Sequence, residues 1–328
     1  MQTRRNIIAR CALAALPLIG AGLGANAATA YPDHPIRMIV GFPAGQSSDT
    51  TARLIASKLS DALKQSVFVD NRPGAAGIIS HEAVKNAAPD GYTLLMGSTG
   101  TLAINPFLYK KLPYDALKDL DPVATVNAAP LILFTAASSP FNNLKELAAY
   151  TQAHPGKVSY GTGGSGTTGH IAMEMLKKDA GLDLLHVPYK GSPPMITDVI
   201  GGQVNVAFEP AGSVLPFGKS ARIKFLGIAT LKRYPLAPEI PTLSEQGAKG
   251  FEATPWSAIM APKGTPPAIV EQLNAAVNKA LKDPVVIEEI AKTGGTPLPK
   301  SVAEFRQFLQ DENTRWGRAV RDSGAQVD

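Results

Sequence analysis

The sequence predicts an α/β fold of two domains, each a mostly parallel sheet flanked by helices, with a ligand cleft between them. Three observations predict it. Short runs of branched apolar residues alternate with stretches whose apolar residues recur at helical spacing, which implies strands crossing over through helices. The turns that follow the strands are rich in glycine and hydroxyl side chains. A chain of 328 residues, with ~300 remaining after a leader is set aside, is long enough for two domains.

The leader occupies residues 1–30. Arg4, Arg5 and Arg10 precede an apolar stretch from Cys11 to about Gly24, and small residues follow through Ala27 and Ala30, either of which suits cleavage. The stretch is well short of the ~20 residues of a membrane-spanning helix. An export signal and a periplasmic mature protein are therefore expected. Arg4-Arg5 also fits a twin-arginine signal, but paired arginines are common in ordinary Sec signals, and Sec export is the expected route. Cys11 opens the apolar stretch directly after Arg10, whereas a lipid-modified cysteine would follow that stretch. Removing the leader takes three arginines and no acids, leaving 29 basic against 27 acidic side chains, so the net charge falls from +5 to +2. With no basic stripe in the remainder, nucleic acid is not an expected partner. Cys11 is the single cysteine and departs with the leader, so no disulfide is expected in the mature chain.

In chain order, Ile36 to Phe42 reads as a strand, Pro43 to Asp49 as a loop with Asp49 as helix N-cap, and Leu54 to Leu63 as an amphipathic helix. The unit recurs at Val67 to Val69 and at Tyr92 to Met96. A second series of strands runs through Leu131 to Thr135, Val158 to Tyr160, Leu184 to Pro188, Val204 to Phe208 and Ile223 to Ala229. Helices are expected over Leu144 to Ala153 and Thr168 to Ala180. From about Pro255 the chain is expected to be mainly helical, with Ile269, Val270, Leu273, Val277 and Leu281 on one stripe. Ser301-Val302-Ala303-Glu304 is a capping-box pattern that opens a last helix. Its Phe305, Leu309, Trp316 and Val320 have the spacing of core anchors, so this helix should return to cover the first domain. The predicted organisation is residues 31–128 plus 254–328 as one domain and 129–253 as the other, with crossings near 129 and 253.

Candidate binding residues lie in loops after strands, because helix N-termini there offer unpaired amides and a dipole that attract anions. The first loop supplies Phe42, Ala44, Gly45, Gln46, Ser47, Ser48 and Asp49. A second supplies Ser98, Thr99 and Gly100. The richest runs through Gly163, Gly164, Ser165, Gly166, Thr167 and Thr168 to His170. Gly161, Gly163 and Gly166 match a dinucleotide fingerprint in form. Asp183 precedes the next strand rather than ending it, however, and no phosphate-loop lysine follows Gly166, so a carboxylate-sized anion suits the donors better. Ser165 lacks a nucleophile elbow and no acid is placed by sequence to orient His170, so catalysis is not expected. The histidines at 34, 81, 154, 170 and 186 have no metal spacing, and neither a metal nor a cofactor is expected. Tyr189 ends another strand, with Lys190 either a counter-charge for an anion or merely solvated. Glu209 ends a further one, either repelling an acid or accepting from a ligand amine or hydroxyl.

Several segments together resemble one family, the Bug-type solute-binding proteins of tripartite tricarboxylate transporters. The resemblance rests on Gly41-Phe42-Pro43-Ala44-Gly45 leading to Asp49, and on Val69-Asp70-Asn71-Arg72-Pro73-Gly74. It continues through Pro89-Asp90-Gly91-Tyr92, Tyr160-Gly161-Thr162-Gly163-Gly164-Ser165-Gly166, His186-Val187-Pro188-Tyr189-Lys190-Gly191 and Pro241-Thr242-Leu243-Ser244-Glu245. It implies a two-domain periplasmic binding protein fold (type II-like) that closes on its ligand, and contacts carried by the first loop, by Ser98 to Gly100, by Gly163 to Thr168 with His170, and by Tyr189. It further implies a small carboxylate ligand, integral-membrane transporter subunits as partners and no enzymatic activity; the chain is expected to act as a monomer. Presentation of the ligand to a sensor system, or a periplasmic α/β enzyme, remain alternatives. Gln46 where a second glycine is usual, and Glu209 where Asp or Asn is common, bear on ligand identity.

Overall fold

The computed structural model describes residues 31–218 and 220–327. The leader expected at residues 1–30, with its cleavage site, lies outside the described residues. Among those described, no helix is long and apolar enough to cross a membrane.

The first sheet begins with β1 (Ile36–Val40), β2 (Val67–Asn71) and β3 (Thr93–Ser98), continues with β4 (Leu120–Ala128), and is completed by β10 (Trp256–Pro262) and β11 (Thr296–Pro297). Its order is β11-β4-β10-β3-β1-β2. The second sheet has the order β7-β6-β8-β5-β9, with β5 at Leu131–Ala136, β6 at Ser159–Thr162, β7 at Leu185–Pro188, β8 at Val206–Pro210 and β9 at Ile223–Ile228. Both sheets are mixed rather than mostly parallel. β1 runs parallel to β2 and β3, and β6 to β7 and β8, but β10 is antiparallel to β3 and β4, and β5 to β8 and β9. β5 and β10 are the strands by which the chain enters each sheet from the other: β4 runs into β5 across residues 129 and 130, and β10 follows from the second sheet, so neither arrives by a helical crossover from a strand of its own sheet.

Helices cover these sheets. α1 (Ser47–Leu63) buries Ala52, Ile55, Ala56 and Leu59 against a core that also holds Ile36, Met38 and Val40 of β1 and Leu273 and Val277 of α8 (Pro267–Ala280). Alternate residues of β1 thus face opposite helix layers, as Ile39 belongs to the other core cluster. α2 (Ile78–Lys85), α3 (Asn105–Leu108) and α9 (Pro284–Lys292) complete the first layer. α4 (Leu144–Ala153) and α5 (Thr168–Ala180) have the bounds the sequence predicts. α6 (Ser192–Ile200) and α7 (Ala211–Gly218) lie on the other face of the second sheet, packing Met195, Ile196 and Val214 against Ile132 and Ala207.

The region after Pro255 is not simply helical, because β10 forms a central strand there. Trp256 to Pro262 is a short apolar run buried on both faces, which periodicity does not separate from the start of a helix. α10 (Val302–Ser323) opens with the capping box: Ser301 Oγ accepts from Glu304 N, and Glu304 Oε2 accepts from Ser301 N at 2.8 Å. Phe305 and Trp316 are fully buried. Glu312 ties the helix to the sheet by accepting from Trp256 Nε1 at 2.6 Å, Trp316 Nε1 at 2.9 Å and the Arg315 guanidinium. α10 also reaches the second layer, where Lys178 of α5 pairs with Asp322 at 2.8 Å.

Candidate functional site

The two passages between the sheets are bonded to each other. Ala129 N donates to Pro255 O at 2.8 Å and Leu131 N to Ala253 O at 3.1 Å. Above them opens a hollow of about 540 Å³. Asn127, Ala129, Pro255, Trp256 and Ser257 form its floor. Ser257 Oγ donates to Asn127 Oδ1, fixing the amide that faces the hollow.

One wall is the β1–α1 connection. Of the residues expected from sequence, Phe42, Gly45, Gln46, Ser47, Ser48 and Ser98 line the hollow. Gly45 has φ +84°, and a Cβ there would meet no atom within 4 Å, so the backbone faces open space. Asp49 is not the helix N-cap. Gln46 holds that position without a side-chain cap bond, and Asp49 stands in the first turn, 2% exposed. Its carboxylate accepts from Gly45 N at 2.8 Å, Asn71 Nδ2 at 2.8 Å and Arg53 Nε at 3.0 Å. Burial alone would raise its pKa, but the Arg53, Gly45 and Asn71 donors outweigh it and hold the carboxyl below its usual range. Asp49 therefore shapes the loop from beneath. Ala44 is exposed beside the lining residues, and Thr99 is buried under them, exchanging bonds with the Trp256 backbone. Gly100 begins a π-helical turn over Gly100–Ile104 that leads away from Ser98.

The opposite wall is one the sequence did not indicate. Pro210, Gly212 and Ser213 bring the N-terminal end of α7 to the hollow, facing Ser47, Ser48, Thr50 and Thr51 of the first turn of α1. Thr293, after α9, completes the rim. The end of α7 is set by close backbone contact: a Cβ on Gly212 would lie 2.1 Å from Thr293 O, and one on Gly294 2.1 Å from Gly212 N. Tyr234 Oη donates to Gly294 O at 2.7 Å beside it.

The glycine loop of β6–α5 packs against other parts of the chain. Gly163, Gly164, Ser165, Gly166, Thr167 and Thr168 are not among the residues lining the hollow. Gly163 packs on Ser192 and Gly164 on Tyr189 O, and a Cβ on Gly166 would lie 2.2 Å from Leu108 Cδ2 of α3. Thr167 is the N-cap of α5, its hydroxyl accepting from His170 N. His170 is buried behind the loop, its Nδ1 accepting from Gly166 N at 3.0 Å while its ring stacks on His186 at 4.2 Å. Accepting at Nδ1 requires a neutral ring protonated at Nε2. Burial, with the nearby His186, pushes the His170 pKa down to about 4. His186 Nε2 bonds Thr162 Oγ1 at 2.7 Å. Among the described residues no group of three or more His, Cys, Asp or Glu side chains is arranged to hold a metal ion.

Tyr189 donates to Asp198 Oδ2 at 2.7 Å, and burial, with the Asp198 carboxylate, pushes its hydroxyl up to about 12. Glu209 is 6% exposed and accepts from Ser192 Oγ at 2.8 Å. Burial pushes its pKa up to about 7, against the lowering effect of that hydroxyl.

Two α/β layers joined by paired crossings, with a hollow above the crossings and a helix end on each side, define a two-domain binding-protein fold of the periplasmic class. Within that class the chain belongs to the tripartite tricarboxylate transporter receptor family: the profile described as "Tripartite tricarboxylate transporter family receptor" matches residues 51–325. It is 40% identical to Protein BugT of Bordetella pertussis over 309 residues, covering 94% of this chain and 95% of that protein. Among solved structures, it is similar to R. palustris Rpa4515 with adipate, with a TM-score of 0.80, 32% identity and coverage of 90% of this chain and 100% of that one. It is also similar to MatC (Rpa3494) from Rhodopseudomonas palustris with bound malate, with a TM-score of 0.75, 32% identity and coverage of 88% and 100%.

Proposed function

We propose that this chain captures a small carboxylate-bearing solute in the hollow above the crossings and delivers it to the integral-membrane subunits of a tripartite transporter. The observation that carries the reading is the pair of helix N-termini, α1 and α7, on opposite walls of one hollow. Free amides and the positive ends of both dipoles there favour a negative head group. The serine hydroxyls at 47, 48 and 213 add donors without adding a fixed charge. The adipate and malate held by two relatives of this fold support an acid of similar size.

Residues 31–128 plus 254–328 and residues 129–253 act as the two bodies, turning about the crossings so that the walls close on the acid. Of the contacts expected from sequence, Phe42, Gly45, Gln46, Ser47, Ser48 and Ser98 touch the acid, Asp49 holds their loop from beneath, and the glycine loop with Tyr189 forms the backing that moves with the second body. The protein works as a monomer in the periplasm, after removal of residues 1–30 by the Sec route, and performs no catalysis of its own.

A thermal-shift panel of organic acids, amino acids and aromatic acids, set against a neutral sugar and a nucleotide, tests this reading. At a hundredfold excess over its Kd a cognate acid stabilises the fold by about 2.7 kcal/mol. A shift with the sugar or the nucleotide and with none of the acids contradicts it.

A further inference from the structure

The floor of the central hollow carries a side-chain donor that the chain itself does not use. Asn127, near the end of β4, and Ser257, near the start of β10, stand opposite each other in the antiparallel ladder, so their side chains lie together on one face. Ser257 Oγ donates to Asn127 Oδ1, which fixes the amide and leaves Nδ2 as its free end. Nδ2 has no acceptor among the described residues, yet it is not sealed inside the protein: the enclosed side-chain atoms without a partner are His81 Nε2 and Asn278 Oδ1. Gly295 makes room beside it, since a Cβ there would lie 2.9 Å from Nδ2. Asn127 is 8% exposed and lines the hollow.

The other donors of the floor are spent within the chain. Ala129 N donates to Pro255 O, and Pro255 has no N–H. Trp256 N donates to Thr99 Oγ1 at 2.7 Å and Trp256 Nε1 to Glu312 Oε2. On the rim, Thr293 Oγ1 donates to Ile290 O at 2.7 Å. Among the described residues no charged side chain lines the hollow. An N–H pair that can only donate selects for an acceptor. An alkyl chain lying over Asn127 would strip water from those N–H groups and leave them unpaired, whereas a carboxylate would accept from them. The head group is already placed at the helix ends, so the oxygen that reaches the floor belongs to the other end of the same solute.

We propose that Asn127 is a specificity-determining residue of this cleft: its amide donates to a second carboxylate, remote from the helix ends, and so selects dicarboxylates over acids with an apolar tail. The inference rests on the carboxylate reading above.

The experiment is calorimetric titration at about pH 7.5, where every carboxyl is ionised, with adipate against hexanoate and malate against 3-hydroxybutyrate. Within each pair a methyl replaces one carboxylate. The wild type binds the dicarboxylate of at least one pair about ten- to a hundredfold more tightly than its methyl-ended partner. Asn127→Ala removes that preference by weakening the dicarboxylate while leaving the methyl-ended acid unchanged. Asn127→Asp keeps the shape but turns the donor into a carboxylate, and it weakens the dicarboxylate more than Ala does, the reverse of the order a merely structural role would give. In the wild type, the side-chain amide signals of Asn127 shift as the dicarboxylate saturates. This arm needs no variant and decides the matter should a variant fail to fold or the methyl-ended acid bind too weakly to measure. Equal losses for both acids of a pair, a preference that survives Asn127→Ala, or an amide unmoved at saturation overturns the proposal and leaves the carboxylate reading standing. If none of the four acids binds, the dicarboxylate assignment falls and the proposal with it, while the wider thermal-shift panel still decides the carboxylate reading.

Discussion

The β1–α1 and β6–α5 connections have the same grammar, a strand, a glycine-bearing turn with hydroxyl residues and a helix, yet the structure uses them differently. The first turns its backbone outward: Gly45, Ser47 and Ser48 line the hollow, and the loop is held from beneath by the charge of Asp49. The second turns its backbone inward: Gly163 and Gly166 pack on Ser192 and Leu108, and the loop is held by the neutral ring of His170. Glycine after a strand therefore marks close approach, but what approaches can be a ligand or another part of the chain. The side chain that fixes the loop, ionised in one case and neutral in the other, also sets how each responds to pH.

Substitutions sharpen this contrast. The largest effect is expected for Gly166→Val, which adds a side chain at φ +80° with its Cβ 2.2 Å from Leu108. Left-handed backbone strain and overpacking together cost about 3–4 kcal/mol, measured as a fall in ΔG of unfolding in urea. A stable variant that fails only in binding would show instead that the second loop faces the solute.

Acidification separates the two anchors. The His170 pKa in the folded protein, about 4, lies below its ordinary value of 6.5, so its stabilisation is complete above pH 6.5 and is lost as pH falls toward 4. The expected loss from His170 is roughly 2–3 kcal/mol across that window, and His170→Gln should make the profile shallower by that share, leaving the part due to His81 and His186, which burial also holds below their ordinary values. Asp49, held below its ordinary range, loses its contribution only as pH falls below about 3.8. Identical profiles for wild type and His170→Gln between pH 6.5 and 4 would remove His170 as the titrating anchor.

Asp49→Asn keeps the shape but surrenders the charge-assisted bonds from Arg53 and Gly45, at about 2 kcal/mol by denaturant unfolding. The smallest stability effect belongs to Gly45→Ala, whose methyl meets nothing within 4 Å and costs about 1 kcal/mol of backbone strain. That methyl enters the hollow, so acid affinity by calorimetry should fall more than stability does.

Much of the fold was legible. Helical spacing and capping residues gave α4, α5 and the start of α10, because each carries its own local signal. The expectation of crossings near 129 and 253 comes from reading the last helix as a return to the first domain. β10 was hidden, since a run buried on both faces has no period to read. The site was half legible. The first wall announced itself through glycine and serines before an amphipathic helix. The second did not, because α7 has eight residues, begins Ala-Gly-Ser with no acidic first turn, and contains Pro216, which argues against a helix in sequence. The role of Asp49 as an anchor inside the first turn depends on Arg53 and Asn71 meeting it, and the contact with Asn71 is tertiary. Ser192, at the start of α6, bonds Glu209, near the end of β8, a contact that exists only in the folded chain.

The most direct test of the central claim, that an acid sits between the N-terminal ends of α1 and α7, is amide NMR during titration with adipate. The account predicts the largest shifts at Ser47, Ser48, Gly212 and Ser213 together, saturating on one isotherm. Saturable binding that leaves all four amides unmoved would contradict it.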